Sequence, residues 1–158
     1  VVEPSRTQRL GAYAVVVDQD RILLTRISPI GFPVGAWTLP GGGVDHGESP
    51  HAAVRRELWE EAGLEAMSVR LVDVHDVHTV ALGRGDQYED YHGVHLLYAV
   101  EVDTAQVPRV TDVGGTTDLV QWVPIEQIDS SLGPVLPMVR HTIERLDQFA
   151  AGWSSRIV

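Results

Sequence analysis

Glu57, Glu60 and Glu61 stand within one five-residue stretch of a helix-forming segment, and a bare helix is a poor place for them. At about 3.6 residues per turn all three project from one side. Like charges at this spacing destabilise a helix by about 0.2–0.5 kcal/mol per pair. The carboxylates also come late in the segment, where the helix dipole prefers cations. Arg56 offers one compensating partner to Glu60, too little for three acids. The face is either solvated or it holds a divalent cation. All-oxygen ligands select hard ions, Mg²⁺ or Mn²⁺ first, with Ca²⁺ as a non-productive substitute.

The preceding residues favour the cation. Pro40-Gly41-Gly42-Gly43 is a turn that lets backbone approach a ligand closely, and it leads straight to the acidic segment. Residues 49–63 read as the clearest helix of the chain. Ser49 is a good N-cap, Pro50 suits the first helical position, and Gly63 fits a left-handed stop. Val54, Leu58 and Ala62 recur every four residues and should face the core.

The rest of the chain predicts a mixed α/β domain. Leu10 to Val17 and Ile22 to Ile27 are apolar runs around Asp18-Gln19-Asp20, expected as a hairpin. Ser28 to Ala36 is loop, Met67 to Val80 strand, and Ala81 to Asp90 a polar, mobile loop. Gly93 to Val102 is strand, Asp103 to Asp118 loop, Leu119 to Val123 strand. A short helix begins at Pro124. Val135, Val139, Ile143, Leu146 and Phe149 mark an amphipathic C-terminal helix. A mixed sheet with helices on both faces accommodates this order. The expected organisation is an extension over 1–9, a single domain over 10–150 and a tail over 151–158.

Composition removes other chemistries. The 158 residues contain no Cys, no Lys and no Asn. Thiolate zinc sites, thiol nucleophiles, Walker-A loops and Schiff-base lysines are therefore excluded. The net charge of −10 disfavours coating a phosphate backbone, so a nucleic-acid polymer is not the expected partner. Val1 to Leu10 lacks the apolar core of a signal peptide, and no run approaches membrane-spanning length. Cytoplasmic location and no membrane partner are the expectations.

Residues 42–64 resemble the Nudix box, G-x5-E-x7-R-E-U-x-E-E-x-G-U with U a bulky aliphatic. Gly42, Glu48, Arg56, Glu57, Leu58, Glu60, Glu61, Gly63 and Leu64 occupy every fixed position. The lead-in Trp37-Thr38-Leu39-Pro40-Gly41 is also similar to the family's. The resemblance implies an α/β/α sandwich with the box as loop–helix–loop. It implies a hydrolase that cleaves a nucleoside diphosphate linked to another moiety, by water attack at phosphorus. Glu57, Glu60 and Glu61, joined by the Gly41 carbonyl, would bind Mg²⁺ (Mn²⁺ as substitute). Arg56 and Glu48 would steady the helix and its loop. Glu57 is the first choice of base, with Asp86, Glu89 and Asp90 as loop alternatives.

Substrate contacts are expected at Gly42, Gly43, Arg26 and Tyr88. Arg26 resembles a position that touches substrate in some relatives, and an Arg without an acidic neighbour suits a phosphate. Phe32, Tyr88 and Tyr91 are candidate stacking partners for a base. A (d)NTP-type substrate is preferred. ADP-ribose, another sugar nucleotide or a dinucleoside polyphosphate is the alternative; subgroups for these often carry Pro or Tyr where this chain has Thr79 and Val80. A non-catalytic nucleotide sensor is the reading from another class, and the complete box speaks against it. Relatives are often dimers, so a homodimer is compatible with the resemblance. His75 and His78, like His92 and His95, are three apart; on strands that step puts them on opposite faces, for packing or solvent, with one lining the substrate cleft or a zinc site as the lesser alternatives.

Overall fold

A computed structural model describes residues 3–83, 86–130 and 132–150. The expected tail over 151–158 lies outside the described residues. In chain order the elements are β1 (Ser5–Val15), β2 (Val17–Asp18), β3 (Arg21–Ile27), β4 (Trp37–Thr38), β5 (Gly41–Gly43) and α1 (Pro50–Ala62). Then follow β6 (Ser68–Leu82), β7 (Tyr88–Glu101), β8 (Thr117–Pro124), a 3₁₀ turn at Ile125–Gln127, α2 (Pro137–Ile143) and α3 (Leu146–Ala150).

The expected mixed sheet is present, in the order β5-β1-β7-β6, with β1 parallel to β7 and the other neighbours antiparallel. A second, antiparallel sheet joins β2, β3 and β4, with β8 on the other side of β3. The expected hairpin of two long strands is thereby corrected. Only Val17-Asp18 pairs back on β3, because the chain changes sheets at Val16. Val15 and Val16 are both 1% exposed, so the in-out alternation of a single strand breaks there.

Alternate residues of β7 feed two cores. Tyr98 and Val100 pack with Ala12, Ala14 and the apolar stripe of α1: Ala53, Val54, Leu58 and Ala62. Leu97 and Ala99 face the other way, towards Val15, Leu39, Met138, Val139 and Phe149. Both faces of the mixed sheet are thus covered. Fully burying a side chain such as Leu58 stabilises the fold by about 1.5–3 kcal/mol.

The expected turn at Gly41-Gly42-Gly43 is itself the short strand β5, because its backbone pairs with Gly11 to Tyr13 of β1. Three other boundaries differ most from expectation. β1 starts at Ser5 rather than Leu10, since its first residues pair with the start of β7. The 81–90 loop shrinks to the turn between Leu82 and Tyr88, because β6 and β7 pair as far as those residues. The C-terminal helix is two short ones: the Arg145 N–H bonds to the Thr142 carbonyl, three residues back, and this tight turn ends α2 before α3 begins.

Candidate active site

α1 is delimited as its sequence demands. The Ser49 hydroxyl accepts the Ala52 N–H at 3.1 Å, and Pro50 opens the helix. Gly63 closes it in the left-handed region, at φ 64°, and its N–H bonds to the Trp59 carbonyl. The remaining C-terminal carbonyls are capped by the loop before β8. The N–H groups of Thr111 and Asp112 donate to the Glu60 carbonyl, and that of Arg109 to Ala62. These donors answer the unpaired carbonyls of the helix end, where the acidic side chains also gather.

The loop and helix are locked together at Glu61. Its carboxylate is 7% exposed and accepts the Gly41 N–H at 2.8 Å and the Thr117 hydroxyl at 2.6 Å. Gly41 has φ 152°, and a Cβ there would meet the Ala12 carbonyl oxygen at 2.4 Å, so only glycine brings this backbone in. Gly42 passes directly beneath Glu57; a Cβ on it would lie 2.6 Å from Glu57 Oε1.

Arg56 is the hub of the charged network. Its Nε and Nη2 donate to the two Glu48 oxygens at 2.8 and 3.0 Å, and Nη2 also donates to the Gly43 carbonyl at 3.1 Å. Nη1 donates to Glu57 at 2.9 Å and Glu60 at 3.3 Å. The geometry places Arg56 and Glu48 as a brace between helix and loop. The Arg56 hydrogen bonds hold the Glu48 carboxyl down to about 2.

The acids around the helix end behave differently. Burial pushes Glu61 up to about 8, and neighbouring Glu57 and Glu60 push in the same direction. Burial also raises Glu57, opposed by its bond to Arg56. Glu57 shares Arg56 with Glu48 and Glu60, and among the described residues Glu61 has no cationic partner, so the cluster is under-neutralised. Glu57, Glu60 and Glu61 line one cleft with Val110, Asp112, Thr116 and Thr117. Oxygen ligands of this kind suit a hard divalent cation, which would supply the missing positive charge, although among the described residues no three acidic or imidazole side chains already stand gathered as a metal site.

Other expected residues fall elsewhere. Arg26 does have an acidic neighbour: Nε and Nη2 donate to the Asp118 carboxylate at 2.8 and 3.2 Å. The reason for assigning it to a phosphate therefore fails. Tyr88 and Glu89 open β7 at the far end of the β6–β7 hairpin, and Asp86 lies in its turn. Glu89 pairs with Ser5, whereas the box loop pairs with Gly11 to Tyr13. Along β1 that separation is roughly 20 Å. Asp90 is engaged there by His78 at 2.6 Å and Arg6 at 3.6 Å. The loop carboxylates are thus remote from the cleft, and Tyr88 is remote from anything held at Glu57. Phe32 is exposed on the loop after β3, and Tyr91 is half-buried in β7.

Sequence reasoning missed Arg9, Asp112 and Thr117. Arg9 lies in β1, and its guanidinium covers Gly43: a Cβ there would meet Nη2 at 2.6 Å. It is close enough to Glu57 to favour the ionised carboxylate. Among the described residues it has no carboxylate within ion-pair distance, in contrast to Arg26. The clue available was the third glycine of Gly41-Gly42-Gly43, which leaves space for a side chain from a neighbouring strand.

The NUDIX domain family model matches residues 7–146. An RNA pyrophosphohydrolase from Cereibacter sphaeroides is 33% identical over 110 residues, covering 65% of this chain and 67% of that protein. The crystal structure of a MutT NUDIX hydrolase from Burkholderia pseudomallei is 27% identical, with a TM-score of 0.66, covering 89% of this chain and 98% of the other. The NUDIX domain of Shewanella oneidensis NrtR, complexed with ADP ribose, shares the fold at 21% identity and TM-score 0.61, over 89% of each chain. With the box intact and the family match running nearly end to end, the chain belongs to the Nudix family.

Proposed function

We infer that this chain is a metal-dependent Nudix pyrophosphohydrolase that cleaves the pyrophosphate linkage of a nucleoside triphosphate-type substrate. The observation that carries the reading is the pairing of two charges across one loop. The half-buried Glu57 carboxylate lies against Gly42, and the Arg9 guanidinium lies against its neighbour Gly43.

Glu57, Glu60 and Glu61, with the Gly41 carbonyl, would hold Mg²⁺ or Mn²⁺; such an ion neutralises phosphate oxygens and lowers the pKa of water. The protein's own groups do the rest. Arg9 presents a fork of donors to phosphate oxygens, a geometry that arginine matches in bidentate fashion. Arg56 occupies Glu57 Oε1 and leaves Oε2 to accept the proton of the attacking water. In the metal-free protein burial raises the Glu57 carboxyl, and a bound cation would offset that by favouring the carboxylate that accepts the proton. Glu48 holds Arg56, and through it the orientation of Glu57.

A second reading concerns the substrate's far end. The relative at 33% identity is named an RNA pyrophosphohydrolase, and a 5′-triphosphate on RNA presents the same group as a free triphosphate. The net charge of −10 favours the free nucleotide over a longer polyanion. Five substrates with Mg²⁺ test this: an NTP, a dNTP, ADP-ribose, a dinucleoside tetraphosphate and a 5′-triphosphorylated RNA oligomer. The expected result, read by separation of the products, is hydrolysis that is fastest for the free triphosphates. Faster turnover of the RNA end moves the assignment to the second reading. Nucleotide binding without any turnover makes the chain a sensor.

A further inference from the structure

The register of the β6–β7 hairpin sets His75 directly opposite His95, and His78 opposite His92. The second pair is tied up on the α1 side of the sheet: His78 with Asp90, His92 with Asp76 and Gln8. The first pair lies on the other side and is different. The two Nδ1 atoms are 3.2 Å apart, the ring centres 5.4 Å, and the ring planes within 17°. The ring centres are separated by nearly the N–N distance plus both ring radii. The rings therefore face one another edge to edge in one plane, with the nitrogens between them. This is the geometry of an N–H···N hydrogen bond.

One ring must then be the Nδ1–H tautomer and the other must accept on Nδ1. The bond survives one added proton. It cannot survive two, since two N–H groups would then confront each other. Around His95 stand Tyr13 from β1 and His75 and Asp76 from β6; around His75 stand His141 and Arg145 from the α2 region, with Asp73 and Asp76. His141 Nε2 donates to the Asp73 carboxylate at 2.7 Å, which ties the outer end of the cluster to β6.

The inner end reaches the box. The Tyr13 ring meets His95 edge-on, with centres 5.2 Å apart. Tyr13 is the register partner of Gly41, and its ring fills the space where a Cβ on Gly41 would lie, 2.6 Å from Cδ1. Gly41 in turn donates to Glu61. A continuous line of contacts thus runs from His75 through His95, Tyr13 and Gly41 to a carboxylate of the cleft.

We propose that His75 and His95 are positioning residues for the metal loop: their shared proton holds His95 against Tyr13, and Tyr13 sets Gly41 at its bond to Glu61. This rests on the reading of Glu57, Glu60 and Glu61 as the metal site. Burial lowers both rings from the ordinary histidine value, His95 to about 4. Their contribution is thus complete above the ordinary histidine value of 6.5 and declines as pH falls towards that of His95.

The test has two arms. Imidazole ¹⁵N spectra of the metal-free protein at pH 7.5 should show one Nδ1–H and one Nε2–H tautomer for His75 and His95; two identical tautomers overturn the shared proton. Mn²⁺ titration monitored by electron spin resonance should then show weaker binding in His95→Phe and His75→Leu. The expected loss is about tenfold, the scale on which residues behind metal ligands act. His75→Gln, which can still hydrogen-bond His95, should recover most of it. In wild type the affinity should drop more steeply than in His75→Gln only as pH falls towards about 4, where the second ring takes its proton. Unchanged Mn²⁺ affinity in folded His75→Leu and His95→Phe, with native circular dichroism, overturns the proposal. If instead Glu57→Gln and Glu61→Gln also leave Mn²⁺ binding intact, the failure lies in the metal-site reading.

Discussion

Glu61 accepts the backbone N–H of Gly41 at 2.8 Å, so the last turn of α1 and the glycine loop are held by one buried carboxylate. The side chain that fixes the loop also lines the cleft. Glu61→Gln should therefore reduce Mg²⁺-dependent turnover by at least about a hundredfold, and Glu57→Gln by about 10²–10⁴-fold as a lost base. Far-ultraviolet circular dichroism should remain native in both. Steady-state rates at saturating Mg²⁺ check this.

Metal removal should expose the strain of burying Glu61. In the metal-free protein its carboxyl titrates at about 8, above the ordinary 4.5. A raised carboxyl contributes stability that is complete below 4.5 and is lost as pH rises to about 8. Thermal melts with chelator should show Tm falling across that interval, by more in wild type than in Glu61→Gln. Added Mg²⁺ should flatten the fall, and its binding should release protons near neutral pH.

Two glycines of the loop should fail differently. Gly41→Ala puts a methyl into the Ala12 backbone at a φ that other residues rarely adopt. It should destabilise the fold by about 1–3 kcal/mol. Gly42→Ala first meets the end of the Glu57 side chain, which can swing away at the expense of its bond to Arg56. It should keep the wild-type Tm and lose activity. Paired melting and rate measurements separate the two.

The two arginines test where substrate lies. Arg9→Ala should raise KM for a nucleoside triphosphate about ten- to hundredfold, the worth of a hydrogen bond to a charged group. Tm should hardly move, since Arg9 is exposed. Arg26→Ala breaks only the exposed pair with Asp118 and should leave KM unchanged. A KM effect in Arg26→Ala alone would reverse the two roles.

Local signals in the chain told most about α1. Ser49, Pro50 and Gly63 mark its ends through hydrogen bonds made within a few residues, and the apolar stripe Val54-Leu58-Ala62 needs only the helical period. The box residues were legible for the same reason. What escaped were partners distant in sequence. Asp118 is 92 residues from Arg26, and Thr117 is 56 from Glu61. Arg9 reaches Gly43 only because β1 and β5 are neighbours. Likewise, the change of sheet at Val16 is visible only as two successive buried valines.

The central claim is that the three glutamates of α1 form one cation site. Mn²⁺ binding by electron spin resonance, on wild type and on Glu57→Gln/Glu60→Gln/Glu61→Gln, tests it most directly. Wild type should deplete the free-ion signal and Mg²⁺ should restore it, while the triple variant leaves the signal at its protein-free level. Equal depletion by a folded triple variant would contradict the account.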